Sequence, residues 1–341
     1  MKVFELRDEW SIDHLKLGDR PIPEPGPGQV LLRMKAAALN YRDLVVPQRG
    51  YGSRTGTLPL IPISDGVGEV VAAGAGVSRV AVGERVCPMF FPHFIGGEPN
   101  GERLTHSLGG PLNGVMAEYM AIDERGIARA PAHLSDEQAA TLPCAALTAW
   151  SAIVTFGNVK AGDRVLIQGT GGVSLFALQF AKLLGAHVTV LSGSDDKLVR
   201  ALALGADDGL NYRAVPQWGK VVRERVGGDG VDHVVEVGGE RTLEQSLRAV
   251  RMGGAVSLIG VLSGSNMGVK LGAIVTRQVR LQGITVGSRD GFEAMARAIA
   301  QHRLQPVIDR VFPFEALREA LDYLASGVHF GKICLRHPPS T

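Results

Sequence analysis

The chain has 341 residues, 36 Lys and Arg against 34 Asp and Glu, and a formal net charge of +2. At roughly 100–200 residues per domain this length suits two domains, each able to bury a core without disulfides or structural metal. The balanced charge gives no broad basic field, which excludes nucleic acid as the main partner.

The first residues include Lys2, Glu5, Arg7, Asp8 and Glu9, so no apolar leader core is expected there. Pro21, Pro23, Pro25 and Pro27 rule out regular structure before residue 28, because proline lacks the amide donor. Val30–Met34 reads as a strand, and 66–74 and 83–86 continue in β style. Residues 92–114 are rich in Gly, Pro and Asn and read as a long loop. A β-rich segment thus spans residues 1–125.

The texture changes near Asp136. Ser135 followed by Asp136 and Glu137 marks a helix start. Ala139–Val159 holds no charged residue and is long enough to cross a bilayer. Thr141, Pro143, Thr148, Ser151, Thr155, Gly157 and Asn158 make it a buried helix plus turn instead, so no membrane partner is expected. Strands are then expected at 164–168, 188–191, 231–237 and 255–260. Helices are expected at 173–184, 197–204 and 243–250. Apolar strands alternating with helices imply a parallel sheet covered on both faces. Two helices, 290–301 and 314–326, and a strand at 332–335 close the chain. The fold class is α/β, with a nucleotide domain at 126–287 and a C-terminal return at 288–341. Cys87, Cys144 and Cys334 are odd in number and far apart, which points away from disulfides and toward a cytoplasmic location.

The 44 glycines, about 13% against a usual ~7%, show no period and fall between apolar runs. Gly169, Thr170, Gly171, Gly172 and Val173 lie between an expected strand and an expected helix. There glycines let the backbone approach a pyrophosphate, and the helix N-terminus supplies free amides. The third glycine of G-x-G-x-x-G is Ser174, small enough for close helix–strand packing. An NAD site usually places an acid at the tip of the second strand. Ser192 stands there, with Lys197 nearby, which favours NADP; Asp195 or Asp196 reaching back to the ribose would permit NAD.

The order of these segments, with Pro25–Val30, Asn40-Tyr41-Arg42-Asp43, Asp65–Val70, Leu142–Trp150, Ala203–Asp207 and Asn211–Arg213, resembles the medium-chain dehydrogenase/reductase superfamily. Within it, the chain is similar to the zinc-free quinone-oxidoreductase branch, which is also zinc-type alcohol dehydrogenase-like. The resemblance implies a Rossmann doubly wound parallel sheet beside a GroES-like catalytic domain, and a homodimer or homotetramer whose edge Ala255–Val275 could supply. It also implies hydride transfer between NAD(P)H and a small-molecule substrate. Zinc-bearing relatives hold their metal with two Cys and a His. Asn40 and Ser64 occupy two of those positions here and only Cys144 matches, so no zinc is expected.

Without a metal, hydrogen-bond donors must stabilise the developing oxyanion. The resemblance places Asn40, Tyr41, Asp43, Tyr51 and Ser64 around the substrate cleft. Tyr51 falls where some enoyl reductases of the superfamily keep a proton-donating tyrosine; the alternative is an apolar wall. Asp43 is expected to orient neighbours and Cys144 to be a small buried residue. By resemblance, Thr148 contacts the nicotinamide, Lys197 and Tyr212 hold the 2′-phosphate, and Lys332 reaches the pyrophosphate. Val261, Val286 and Ser288 line the nicotinamide, while Arg289 either joins them or makes a surface ion pair. The expected activity is reduction of a quinone or α,β-unsaturated carbonyl. A simple alcohol dehydrogenase and an inactive NADPH-binding protein are the alternatives.

Overall fold

The computed structural model describes residues 1–266, 268–269 and 271–338. The chain forms two compact units, Thr148–Thr285 and the remainder, Met1–Leu147 with Val286 onward. Residues 126–147, expected with the nucleotide domain, belong to the first unit. There the helix Asp136–Ala140 packs on the strands Gln29–Ala38 and Asp65–Ala73. Ser135 caps this helix as expected, in a reciprocal box with Gln138. Among the described residues no helix is long and apolar enough to cross a membrane.

The second unit is a six-stranded sheet. Its strands, in spatial order, are Asp208–Asn211, His187–Ser192, Arg164–Gln168, Val231–Glu236, Val250–Leu258 and Arg280–Gly283, all parallel. In chain order these are strands three, two, one, four, five and six, so the winding reverses between Arg164–Gln168 and Val231–Glu236. Ligands of such sheets bind outside the strands' carboxyl ends at this reversal. The central strands are continuous apolar runs because both faces are covered: Val165, Leu166, Ile167, Val234 and Val235 are fully buried. The two outermost strands escaped the sequence reading because Asp208–Asn211 and Arg280–Gly283 carry no apolar run. The helix Trp218–Arg225 escaped it too, since it buries only Trp218, Gly219 and Val222. The strand in the stretch Ala255–Val275 is not an edge: it is paired on both sides, and the edge beyond it is Arg280–Gly283. Residues 267 and 270 of that stretch lie outside the described residues.

The first unit is built on a seven-stranded sheet. At its centre Gln29–Ala38 pairs antiparallel with Asp65–Ala73 and with Lys332–Arg336. The returning C-terminal segment thereby places Lys332 beside residues 39 and 40: the Leu39 N–H donates to the Ile333 carbonyl at 2.9 Å. The core gathers Val30, Leu32, Met34, Val70, Val115, Phe314 and Ile333.

Candidate functional site

Each unit carries one half of the candidate machinery. In the first unit, a turn after Gln29–Ala38 enters the short helix Arg42–Val45. The Asn40 N–H donates to Asp43 Oδ2 at 2.7 Å, closing that turn. Across from it, Ile63 holds a left-handed backbone at φ 68°, a strained conformation for a β-branched residue. The 92–114 segment, irregular apart from the helix Gly101–Thr105, ends in the clamp that holds it. Val115 N–H donates to the Ile63 carbonyl at 2.9 Å. A Cβ on Gly114 would stand 2.0 Å from that carbonyl, and one on Gly109 3.0 Å from the Ser64 amide. Only glycine permits these approaches.

The clamp presents Ser64 and Asp65. Ser64 Oγ donates to Asp65 Oδ1 at 2.6 Å, and the Cys144 N–H donates to Asp65 Oδ2 at 2.9 Å. Asn40 Nδ2 faces Ser64 Oγ at 3.5 Å. Cys144 sits where the helical chain widens, the Leu147 N–H reaching back to the Leu142 carbonyl.

Lys332 has neighbours that the resemblance did not imply. Lys332 is 3% exposed, and its ammonium donates to the Leu39 carbonyl and to Asn40 Oδ1, the latter at 2.6 Å. The cluster is therefore one ammonium, two buried carboxyls, an amide, a hydroxyl and a thiol. Burial pushes the Asp43 carboxyl up to about 7, against the pull of the Asn40 amide, with the nearby Asp65 charge adding to the rise. Burial also raises Asp65, opposed by Lys332 and Ser64. Burial pushes the Cys144 thiol well up, so it is protonated.

Tyr51 is 42% exposed, and the Arg42 guanidinium lies over its ring at 4.8 Å. Partial burial, opposed by Arg42, holds the phenol above its ordinary value, so it stays protonated at neutral pH. Arg42 is anchored by donating to Ser107 Oγ at 2.9 Å and to the Gly110 carbonyl. Tyr41 is an exposed residue at the helix start. Ser288 is already engaged, its Oγ accepting from the Gly291 N–H at 3.1 Å to cap the helix Arg289–His302. Arg289 donates to the Arg125 carbonyl at 2.9 Å, and its Nε lies 3.5 Å from Glu293. Val286 carries the strained φ of 57°.

In the second unit, the strand Arg164–Gln168 ends in the glycine turn. Gly169 has φ 75°, and its N–H donates to the Leu191 carbonyl at 2.7 Å. Gly171 is the N-cap of the helix Gly172–Leu183 and offers no side-chain acceptor to its first-turn amides. A Cβ on Gly171 would meet nothing within 4 Å. That open backbone at a helix N-terminus fits a pyrophosphate. Ser174 is buried, and its Oγ donates to the Gln168 carbonyl at 2.7 Å, so a serine serves where a third glycine was expected.

At the second strand's tip, Ser192 Oγ accepts from the Ser194 N–H at 3.2 Å. A Cβ on Gly193 would come 2.7 Å from the Tyr212 hydroxyl and 2.8 Å from Arg213 Nε, so both side chains flank this tip. Asp195 Oδ1 accepts from Asn211 Nδ2 at 2.8 Å. The Lys197 N–H closes the Ser194 cap. Thr148 is buried, and Val261 is 59% exposed.

Sequence reasoning gave Arg213 no role beyond its place in the Asn211–Arg213 motif, and it missed the pair at the winding reversal. There Glu236, fully buried, accepts from Gln168 Nε2 at 2.6 Å, from the Ser246 and Thr242 hydroxyls, and from the Gly238 and Gly239 amides. Within an apolar strand, a lone Glu gives no sequence signal.

Residues 26–132 match the family model "Alcohol dehydrogenase GroES-like domain", and 172–301 match "Zinc-binding dehydrogenase". The chain is 41% identical to the "Zinc-type alcohol dehydrogenase-like protein C1773.06c" of Schizosaccharomyces pombe, over 98% of each chain. The chain belongs to the medium-chain dehydrogenase/reductase superfamily. It is also 26% identical to the acryloyl-coenzyme A reductase of Metallosphaera sedula, covering 92% of this chain and 93% of that one. A solved structure titled "NAD-dependent alcohol dehydrogenase" superposes with a TM-score of 0.90 at 37% identity, covering 98% of this chain and 99% of that one. This member of the superfamily is an NAD(P)H-dependent oxidoreductase with a Rossmann unit and a GroES-like unit.

Proposed function

We propose that the chain reduces α,β-unsaturated carbonyls or quinones with NADPH and without catalytic zinc. The carrying observation is the donor set of the first unit. A catalytic zinc needs three protein ligands. Asn40, Ser64 and a protonated Cys144, with an ammonium bonded to Asn40 Oδ1, do not fit one. Among the described residues, no three His, Cys, Asp or Glu side chains could hold a metal.

The same residues suit enone reduction. Adding hydride to the β-carbon pushes the π pair onto the carbonyl oxygen, and the enolate then takes a proton at the α-carbon. NADPH supplies the hydride when bound. Amide and hydroxyl donors stabilise the oxyanion in place of a Lewis acid. The protonated Tyr51 phenol, steadied by Arg42, is the proton source. Simple alcohol oxidation gains more from a metal. It is kept as the second reading because two of the relatives carry that name.

The cofactor preference follows from the second unit. No acid ends the second strand, Asp195 is held by Asn211, and Tyr212 and Arg213 flank Gly193, a set suited to a 2′-phosphate. A homodimer or homotetramer is supported by the edge strand Arg280–Gly283, exposed at every residue, and by the neighbouring helix Leu271–Val275, which buries none of its residues. Its three cysteines are free, as a reducing cytoplasm would keep them. The deciding experiment is an NADPH-oxidation screen of enones, quinones and aldehydes with and without chelator, beside metal analysis. Activity on alcohols alone, lost with one tightly held zinc, would refute the reading.

A further inference from the structure

The first unit draws an ammonium into a pocket of carboxyls and commits it to an amide oxygen. Lys332 Nζ donates to the Leu39 carbonyl and to Asn40 Oδ1. Asp43 and Asp65 lie within reach of its charge, and each is fully or almost fully buried. A buried cation needs such compensation, and so do buried carboxylates.

The amide has two possible orientations. In the one present, its oxygen meets the ammonium, and its Nδ2 faces Ser64 Oγ at 3.5 Å and the Asp65 carboxyl beside it. The flipped amide would set an NH2 group against an NH3⁺ group, donor against donor. Lys332, together with the Asp65 carboxyl beside Nδ2, therefore selects the amide's orientation. The Nδ2 contact is also long, beside bonds of 2.6 to 2.9 Å elsewhere in the cluster. It is the contact that a substrate oxygen would replace, while the amide's other hydrogen keeps the Asp65 carboxyl.

We propose that Lys332 is the resident cation of this pocket and the positioning residue for Asn40, holding the carboxamide so that Nδ2 is preset to donate to a substrate carbonyl oxygen. The inference rests on the reductase reading for its kinetic arm only. The ammonium thus supplies, through an amide, part of the positive potential that a metal would otherwise provide.

The test compares Lys332→Met, which keeps length but loses charge and donor, with Asn40→Ala and with the pair. Lys332→Met should lower kcat on an enone roughly 10–100-fold, the loss of one hydrogen bond to a charged group. NADPH Kd by fluorescence titration should stay within about twofold. Lys332→Met/Asn40→Ala should be no slower than Asn40→Ala alone, because the two act through one contact. Lys332→Met/Asp65→Asn removes a carboxyl with the ammonium; it guards against misfolding and should keep the kcat loss while recovering the thermal midpoint. An NMR arm is independent of turnover: the Asn40 side-chain NH2 pair, identified by its loss in Asn40→Ala, should shift in the Lys332 variants. A weakened NADPH Kd with kcat retained would make Lys332 a cofactor ligand and overturn the proposal. Additive losses in the cycle, or an unmoved NH2 pair, would overturn it as well. If the wild type reduces no enone or quinone, the reductase reading fails, and the NMR arm alone judges Lys332.

Discussion

The two units build their halves of the machinery from different materials. The second unit uses backbone: a left-handed glycine and an uncapped helix N-terminus within a few residues of chain, beside the tip of the next strand. The first uses side chains brought from residues 40–43, 51, 64–65, 144 and 332, which meet only after folding. Backbone sites tolerate side-chain change but not a lost glycine. Side-chain sites fail one hydrogen bond at a time.

The largest effect tests whether the side-chain half carries the chemistry. Tyr51→Phe keeps the ring under the Arg42 guanidinium and removes only the hydroxyl. If the phenol protonates the enolate, kcat and kcat/KM on an enone fall together, by about 10²–10⁴-fold. A raised KM with unchanged kcat would reduce Tyr51 to a pocket wall. Quinones would mask the effect, since a reduced quinone can take its proton from water.

Next comes the backbone half, where the only side chains expected to matter are those reading the phosphate. Arg213→Ala and Lys197→Ala should each weaken NADPH about 10–100-fold, the worth of a hydrogen bond to a charged group, and leave NADH nearly unchanged. Equal losses for the two cofactors in a titration would show that neither residue reads a 2′-phosphate.

This division also explains what could be read from the sequence. The phosphate turn was legible because strand, glycines and helix are contiguous, and the buried runs around Val165 and Val234 announce a parallel sheet. The sheet's outer strands were not, because Asp208–Asn211 and Arg280–Gly283 have no apolar period. In the first unit, Asn40, Asp43, Ser64 and Cys144 were found through family resemblance, and the structure does bring them together. The partner of Asn40 was not foreseen. Lys332 is 292 residues away in the chain and becomes a neighbour only through the antiparallel pairing of the last strand. The 92–114 loop looked merely irregular, yet Gly109 and Gly114 shape the Ile63–Ser64 backbone by having no Cβ.

That clamp gives a smaller, structural effect. Gly114→Ala puts a methyl group 2.0 Å from the Ile63 carbonyl, so the backbone must shift. Overpacking of this kind costs typically about 1–3 kcal/mol, to be read by urea denaturation. Gly171→Ala is the contrast, because its Cβ meets open space. It should leave stability within about 0.5 kcal/mol, the usual range for a substitution away from packed features, while weakening the cofactor. Equal destabilisation by both would erase the distinction between a glycine kept for packing and one kept for a ligand.

The smallest effect concerns charge in the side-chain half. Asp43 is 4% exposed and accepts the Asn40 N–H at 2.7 Å. The charged groups facing it are Asp65, Lys332 and Arg42, and burial dominates them, raising its carboxyl to about 7. An unfolded Asp loses its proton near pH 4, about three units lower. Between those values the folded chain therefore holds a proton that the unfolded chain releases. The stability from this group is complete below about pH 4 and is lost as pH rises through 7. Asp43→Asn cannot titrate and keeps an oxygen for the Asn40 N–H. Its thermal midpoint should gain on the wild type's as pH goes from 5 to 8. A gap that stays flat would mean that Lys332 and Arg42 already keep Asp43 ionised, making the pocket a set of fixed charges instead of one that takes up a proton.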